Sequence, residues 1–394
     1  MRVVFIFSGL PHYLVKLLNK INSGNDIEVI VIIPKNKSTT LGSGVHESFD
    51  GIEFKVIHLE ETKQWYGKPF FKDFKKVLIE EKPSAIISGW PYFLTYIFSP
   101  ALLFYIKRNK IQLIAREIPF TVPGYHEIFS DFEKRCVESQ KSEAIFKSKL
   151  AFLNLKLLRK VLYTFIIDKS LLYTEQGVDI IHSYGLKRER ITTTYNSPDT
   201  EDILQTILSV NQNFHELKRK KYRLIHVGRL VKWKNVDLII KAVNLLKNDF
   251  PEIELVIIGK GEEEKALKSL VNDLNLDAYV SFKGAIYEGE AQSIEFLQSG
   301  IYVLAGMGGL SINEAMIHGL PIICSVADGT EKHLVFDEKN GAYFKDNDLN
   351  SLAEAIKKVF HADMIAMGSY SKAIILDKIN IKTVTKAFIE GIKS

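Results

Sequence analysis

Two cysteines in 394 residues, Cys136 and Cys324, are too few for a disulfide framework and too far apart for a zinc site. Their scarcity suits a reducing compartment. Nowhere does an uninterrupted apolar run approach the roughly 18 residues that a membrane-spanning helix needs. The apolar start, residues 1–7, meets Ser8 and Gly9 at once and is too short for a signal-peptide core. No sign of charge dominates. With 52 Lys and Arg against 47 Asp and Glu, the net charge is +5 and the pI about 8.8. That mild excess suits an anionic substrate or membrane surface. It argues against a nucleic-acid binder, because the basic residues are dispersed and the aromatics lie in apolar runs. Internal repeats and low-complexity tails are missing, and so is any compact acidic or His/Cys cluster that would hold a metal.

What is there is ordinary globular composition, 46% hydrophobic and 25% charged, in a length that suits two domains. Residues 3–7 read as a buried parallel strand, followed by a loop containing Gly9 and a helix over 14–21. A strand, a small loop and a helix open a doubly wound half-domain. Gly9 could bring backbone close to a ligand, or simply make a turn. Strands follow at 28–33 and 84–88, an extended segment at 51–59, a charged helix at 73–81, and a strand at 111–116. Arg116 and Glu117 end that last strand, where open parallel sheets bind ligands. Glu117 can serve acceptor binding or acid/base chemistry, or it can be ion-paired in a loop. Residues 146–167 place Phe146, Leu150, Leu153, Leu157 and Val161 at helical spacing, with Lys147, Lys149, Lys156, Arg159 and Lys160 between them. Such a helix can lie in an anionic membrane interface or pack its stripe on the sheet.

The βα rhythm restarts at 224–227. The loop Gly228-Arg229-Leu230-Val231-Lys232-Trp233-Lys234-Asn235 leads into a helix over 236–247. Arg229 and Lys234, on a loop at a strand's C-terminal end, suit a diphosphate: one offers a planar fork and the other a mobile point charge. Residues 254–258 form a strand ending in Gly259-Lys260-Gly261. Ala285 and Ile286 follow another at 279–283. The stretch around which the second half is organised is 301–325. A strand at 301–305 precedes Gly306-Met307-Gly308-Gly309-Leu310, and a helix starts at Ser311. Ser311 and Asn313 can satisfy its first-turn donors, and a glycine turn opening a helix is a ready anion site. Glu314 lies about one turn in, within reach of a sugar hydroxyl. Gly319-Leu320-Pro321 ends the helix. Residues 328–331 form a loop that could border the donor, 349–360 is an amphipathic helix, and the last helix spans 384–392.

Gly309-Leu310, Glu314-Ala315-Met316 and Gly319-Leu320-Pro321 together resemble the donor-nucleotide signature of the GT4-type glycosyltransferases. That resemblance covers the second half almost end to end and the first half loosely. It implies a GT-B fold: two doubly wound Rossmann-like α/β domains facing across a cleft. Residues 1–198 would be the acceptor-side domain, ended by Tyr195-Asn196. Residues 199–379 would bind the nucleotide sugar, and a helix over 380–394 would pack back on the first domain. The resemblance also implies transfer of a hexose-type sugar, with retention, from a UDP- or GDP-linked donor, without a metal or other cofactor. The acceptor would be a hydroxyl of a glycan or lipid-linked glycan in lipopolysaccharide, capsule or other surface-glycan assembly. The setting would be the cytoplasm, at the inner face of the cell membrane. Arg229 and Lys234 would clamp the diphosphate, while Gly228, Gly259, Ile286, Gly308, Gly309, Leu310 and Ser311 would surround the nucleotide and Glu314 would bind its ribose. The sequence departs from the family twice: Gly306 stands where a first glutamate usually lies near the transferred sugar, and Asn235 where glycine is frequent. The rival readings are a sugar-nucleotide epimerase in the same fold and a non-catalytic binding subunit.

Overall fold

The structure is a computed structural model. It describes residues 1–24, 27–36, 49–117, 122–127, 149–214, 217–287, 289–327 and 329–394, with backbone alone at 149–151. The chain divides into two units. The first holds the described residues up to Tyr195 together with Lys382–Ser394, and the second is Asn196–Ile381.

In the first unit the strands are β1 (Arg2–Ile6), β2 (Glu28–Pro34), β3 (Lys55–Leu59), β4 (Glu61–Lys63), β5 (Pro69–Phe71), β6 (Ala85–Ser88), β7 (Gln112–Glu117), β8 (Lys169–Leu172) and β9 (Ile191–Thr193). Seven of them make a parallel sheet in the order β3-β2-β1-β6-β7-β8-β9. Val29 to Ile33 of β2 are buried without alternation, as a sheet covered on both faces requires. The chain winds outward from β1 to β3 and then resumes on the other side of β1 with β6. Ile6 pairs with Ser88 where those two strands end. The ends of β1 and β6 therefore form the point at which the strand order reverses. The helix His12–Ser23 covers the sheet with Leu14, Val15, Leu17, Leu18 and Ile21. The last helix, Ile381–Lys393, runs longer than its apolar spacing predicts. Its Ile392 carbonyl accepts from Lys169 Nζ at 2.9 Å. A Cβ on its Gly391 would stand 2.6 Å from the Leu171 side chain and 3.1 Å from that of Thr192, so the helix lies close against β8 and β9.

The second unit has β10 (Arg223–Val227), β11 (Glu254–Ile258), β12 (Val280–Gly284), β13 (Ile301–Leu304), β14 (Ile322–Cys324) and β15 (Gly341–Tyr343). They form a parallel sheet ordered β12-β11-β10-β13-β14-β15, which reverses between β10 and β13. The helices Val236–Leu246 and Leu349–His361 bury Ile239, Ile240, Val243, Leu352, Ile356 and Val359 against it. Residues 204–221 read in sequence as a partly helical connection. The helix there is Thr200–Asn213, begun by the Asp199 side chain accepting from the Asp202 amide. Cys324 is buried and free, and burial pushes its thiol far up, which leaves it unreactive. Cys136 lies outside the described residues.

Candidate nucleotide site

The loops following β10 and β13 leave the sheet on either side of its reversal point. Parallel sheets bind ligands at such places, because the diverging loops leave a crevice. The first loop tightens into a turn, Lys232–Lys234, and ends at Asn235, whose φ of 51° is left-handed. Asparagine is among the few side chains that accept this conformation, which is the physical reason the family's glycine can be replaced here. The Asn235 side chain also donates to Ala305 O at 3.3 Å.

Lys234 joins the two loops. Only 6% of it is exposed, and its Nζ donates to Met307 O at 2.6 Å and to Gly308 O at 2.9 Å. An ammonium is thus fixed beneath the Gly308-Gly309 backbone, and Gly309 itself is exposed. The Arg229 guanidinium is half-buried, 5.7 Å from the centre of the Trp233 ring. The loop holding Gly306 packs directly on this turn. A Cβ at Gly306 would stand 2.1 Å from Trp233 O, and the Met307 amide donates to that same carbonyl at 3.2 Å. No side chain fits at position 306 without moving backbone. The missing glutamate therefore reflects how closely these two loops approach.

Gly259 has a φ of +147°, and a Cβ there would stand 1.8 Å from Gly228 O. Gly228 and Gly259 thus meet where β10 and β11 end, and Gly259 donates its amide to Gly284 O at 2.8 Å. Ile286 is half-buried just beyond Gly284.

The helix after β13 is Ser311–Ile317, and it has no side-chain cap at its start. The two side chains expected to cap it are used elsewhere. Ser311 Oγ and the Tyr302 hydroxyl are 2.7 Å apart, and Asn313 Nδ2 donates to Asn196 O at 3.3 Å. Leu310, at the junction, is half-buried. Glu314, in the helix's first turn, accepts from Gln292 Nε2 at 3.2 Å. Desolvation pushes its carboxyl up to about 7, against the opposing effect of the Gln292 hydrogen bond, although part of the residue still reaches solvent. A carboxyl so placed has one side-chain donor among the described residues and spare acceptor capacity for hydroxyls. Gln292, Tyr302 and the buried His226 were not legible as site residues, because they lie within an ordinary helix and two apolar strands. Burial holds His226 neutral, with its pKa lowered to about 4, while its Nδ1 lies 3.0 Å from Val303 O.

The sequence expectations in the first unit fall at separate places. Gly9 is buried in the loop after β1. Glu117 closes a buried ion pair: Arg159 Nη1 donates to its carboxylate oxygens at 2.9 and 3.1 Å, and the Tyr163 hydroxyl donates to it as well. Arg159 therefore faces the interior rather than an external surface. Lys156 donates to Glu127 O at 2.8 Å, and both Lys156 and Lys160 lie over the Tyr125 ring. Of the apolar stripe, Leu153, Leu157 and Val161 are exposed. Phe146 and Lys147 lie outside the described residues. In the loop after β14, Glu331 accepts from the amides of Ala327 and Gly329, both at 3.1 Å, and so ties its own turn together; Asp328 lies outside the described residues. Among the described residues no His, Cys, Asp or Glu cluster could hold a metal ion. No helix there is long and apolar enough to cross a membrane.

Two parallel α/β units of Rossmann-like build, one of them carrying glycine-rich loops around its reversal point, are the architecture of GT-B glycosyltransferase structures. The solved structure of Anabaena HepE with UDP matches with a TM-score of 0.68 over 100% of both chains, at 16% identity. Residues 210–373 match the family described as Glycosyl transferases group 1. An uncharacterized glycosyltransferase of Methanocaldococcus jannaschii is 30% identical over 63% of this chain and 64% of its own length. The Campylobacter jejuni N-acetylgalactosamine-N,N'-diacetylbacillosaminyl-diphospho-undecaprenol 4-alpha-N-acetylgalactosaminyltransferase is 26% identical over 53% of each chain. The chain thus spans less than two thirds of the length of each of these two relatives.

Proposed function

We propose that this protein is a retaining glycosyltransferase of the GT4 type, moving a hexose-type sugar from a nucleotide diphosphate donor to an acceptor hydroxyl. The observation that carries this reading is Lys234, whose ammonium is buried between two loops at the reversal point of a parallel sheet. Arg229 lies on one of those loops, and Glu314 follows the other. In this reading the ribose hydroxyls donate to Glu314, and the diphosphate lies by Gly308 and Gly309, between Lys234 and Arg229. The C1–O bond to the diphosphate breaks and the acceptor oxygen bonds C1 on the same face. The acceptor proton passes to the departing diphosphate. Positive charge fixed beforehand is worth most where negative charge builds in the transition state.

The donor base, UDP or GDP, is left for experiment. The acceptor class follows the curated relatives, whose names include a diphospho-undecaprenol-linked glycan transferase and poly(ribitol-phosphate) and poly(glycerol-phosphate) glycosyltransferases. Lipid-linked or surface-glycan acceptors, used at the inner face of the cell membrane, fit this reading. The Gly306 packing favours a second reading, a non-catalytic binding subunit, because the carboxylate that usually lies near the sugar has no room.

The test is transfer from labelled UDP- and GDP-sugars to prenyl-diphosphate-linked glycans, with the product's anomeric configuration read by NMR. Arg229→Ala should lower turnover by about 10²-fold or more. Near-wild-type turnover in that variant would reject the diphosphate role. Donor binding without transfer to any acceptor would favour the binding subunit.

A further inference from the structure

Arg116 and Glu117 are adjacent at the end of β7, and successive strand residues point to opposite faces. Glu117 turns toward Arg159 and Tyr163. Arg116 turns the other way, among three aromatic rings: its guanidinium carbon is 5.6 Å from the Phe7 centroid, 4.7 Å from that of Tyr173 and 5.5 Å from that of Phe388. Its Nη2 donates to the Tyr173 hydroxyl, while its Nε is sealed from solvent with no hydrogen-bond partner. Among the described residues no carboxylate pairs with it. The neighbouring carboxylate, Glu117, lies on the opposite face and is committed to Arg159.

This arginine lines a cavity of about 110 Å³ with Phe7, Ser8, Ser88, Gly89 and Trp90. The cavity opens at the C-terminal ends of β1 and β6, the reversal point of the first sheet, where parallel sheets take ligands. Gly89 permits the close approach of β6 to β7, since a Cβ there would stand 2.7 Å from Arg116 O. A space of this size is on the scale of one oxyanion group and smaller than the roughly 300–1,000 Å³ of a typical cofactor pocket. An arginine fork and serine hydroxyls are donors suited to phosphate oxygens. Desolvation lowers the Arg116 pKa to about 10, a cost that a bound anion would offset.

We infer that this cavity is an oxyanion subsite for a phosphate group, with Arg116 as its binding residue. Every lining residue belongs to the first unit. That the phosphate belongs to an acceptor rests on the glycosyl-transfer reading; the subsite itself does not.

The test is calorimetric titration of the full chain with inorganic phosphate and, separately, with geranyl diphosphate, without any donor. Saturable binding is expected, weakened at least about tenfold in Arg116→Met and in Ser8→Leu, which fills the cavity. Arg116→Met should fold, because it keeps the apolar stem among the aromatic rings; should it fail to fold, Ser8→Leu decides. Tighter binding of geranyl diphosphate assigns the subsite to a lipid-linked phosphate, and equal affinity assigns it to phosphate alone. Absence of saturable binding, or equal affinity in wild type and the folded variants, overturns the proposal. Because no transfer is measured, that failure would leave the glycosyl-transfer reading standing.

Discussion

Glu314 carries a testable sign. Its folded-state pKa, raised to about 7 by desolvation, lies above the ordinary carboxyl value. Rising pH therefore disfavours folding across the interval from that ordinary value up to about 7, because the unfolded chain releases its proton first. A ribose hydroxyl donates best to the ionised form. Affinity for a nucleoside diphosphate should therefore rise with pH through about 7 and level off above it. Glu314→Gln should weaken binding and flatten the profile; an unchanged profile in that variant would remove Glu314 from the site. Lys234 and Arg229 should separate by stability. Lys234→Met strands the Met307 and Gly308 carbonyls, at about 1–3 kcal/mol for a buried acceptor left unmet. Arg229→Ala should change the melting temperature little while lowering turnover. Gly306→Glu, which places a glutamate where the GT4-type signature carries one, should destabilise the protein and leave activity no higher, because the side chain must displace the Trp233 carbonyl. A stable, more active variant would refute the packing account of that departure.

At the scale of elements, legibility in the sequence followed the kind of signal. Buried parallel strands announce themselves as continuous apolar runs, and glycines at strand ends mark tight loops, so most strands of the two sheets and the loops around Gly228, Gly259 and Gly308 could be read directly; the three-residue edge strand β15 (Gly341–Tyr343) reads in sequence only as a turn at Asn340-Gly341. The helix Met364–Asp377 could not be read so easily. It docks through Gly368, where a Cβ would stand 2.0 Å from Gly319 O, and close contact between small residues leaves little apolar stripe. The ribbon of β4 and β5 is held by Phe70, Phe71 and Tyr92, partners far apart in sequence. The basic helix was legible as a helix, but spacing could not say that Arg159 would turn inward to Glu117. That pair yields its own prediction. Arg159→Met should cost about 3–5 kcal/mol by leaving a buried carboxylate unpaired, and adding Glu117→Leu should recover much of the loss. Additive losses in denaturant unfolding would contradict the ion-pair account. Any vesicle binding by this helix should depend on the exposed Leu153 and Leu157 rather than on Arg159, and co-sedimentation of Leu157→Ser with anionic liposomes measures it.

For the whole molecule, two sheets reverse their strand order, and the proposed sites fall at those two reversal points. In the second unit that point holds Lys234, Arg229, Gly308 and Glu314; in the first it holds Arg116 above a small cavity. A chain with net charge +5 and two such points suits two anionic ligands better than a nucleic acid, whose backbone calls for a continuous basic surface. The measurement that tests the central claim most directly is thermal stabilisation of the full chain by a panel of UDP, GDP and their sugars, run beside Arg229→Ala. A ligand at about 100 times its dissociation constant adds roughly 2.7 kcal/mol. The account predicts a clear shift with one diphosphate and its sugars, reduced in the variant. No shift with any of them, or an equal shift in both proteins, would contradict it.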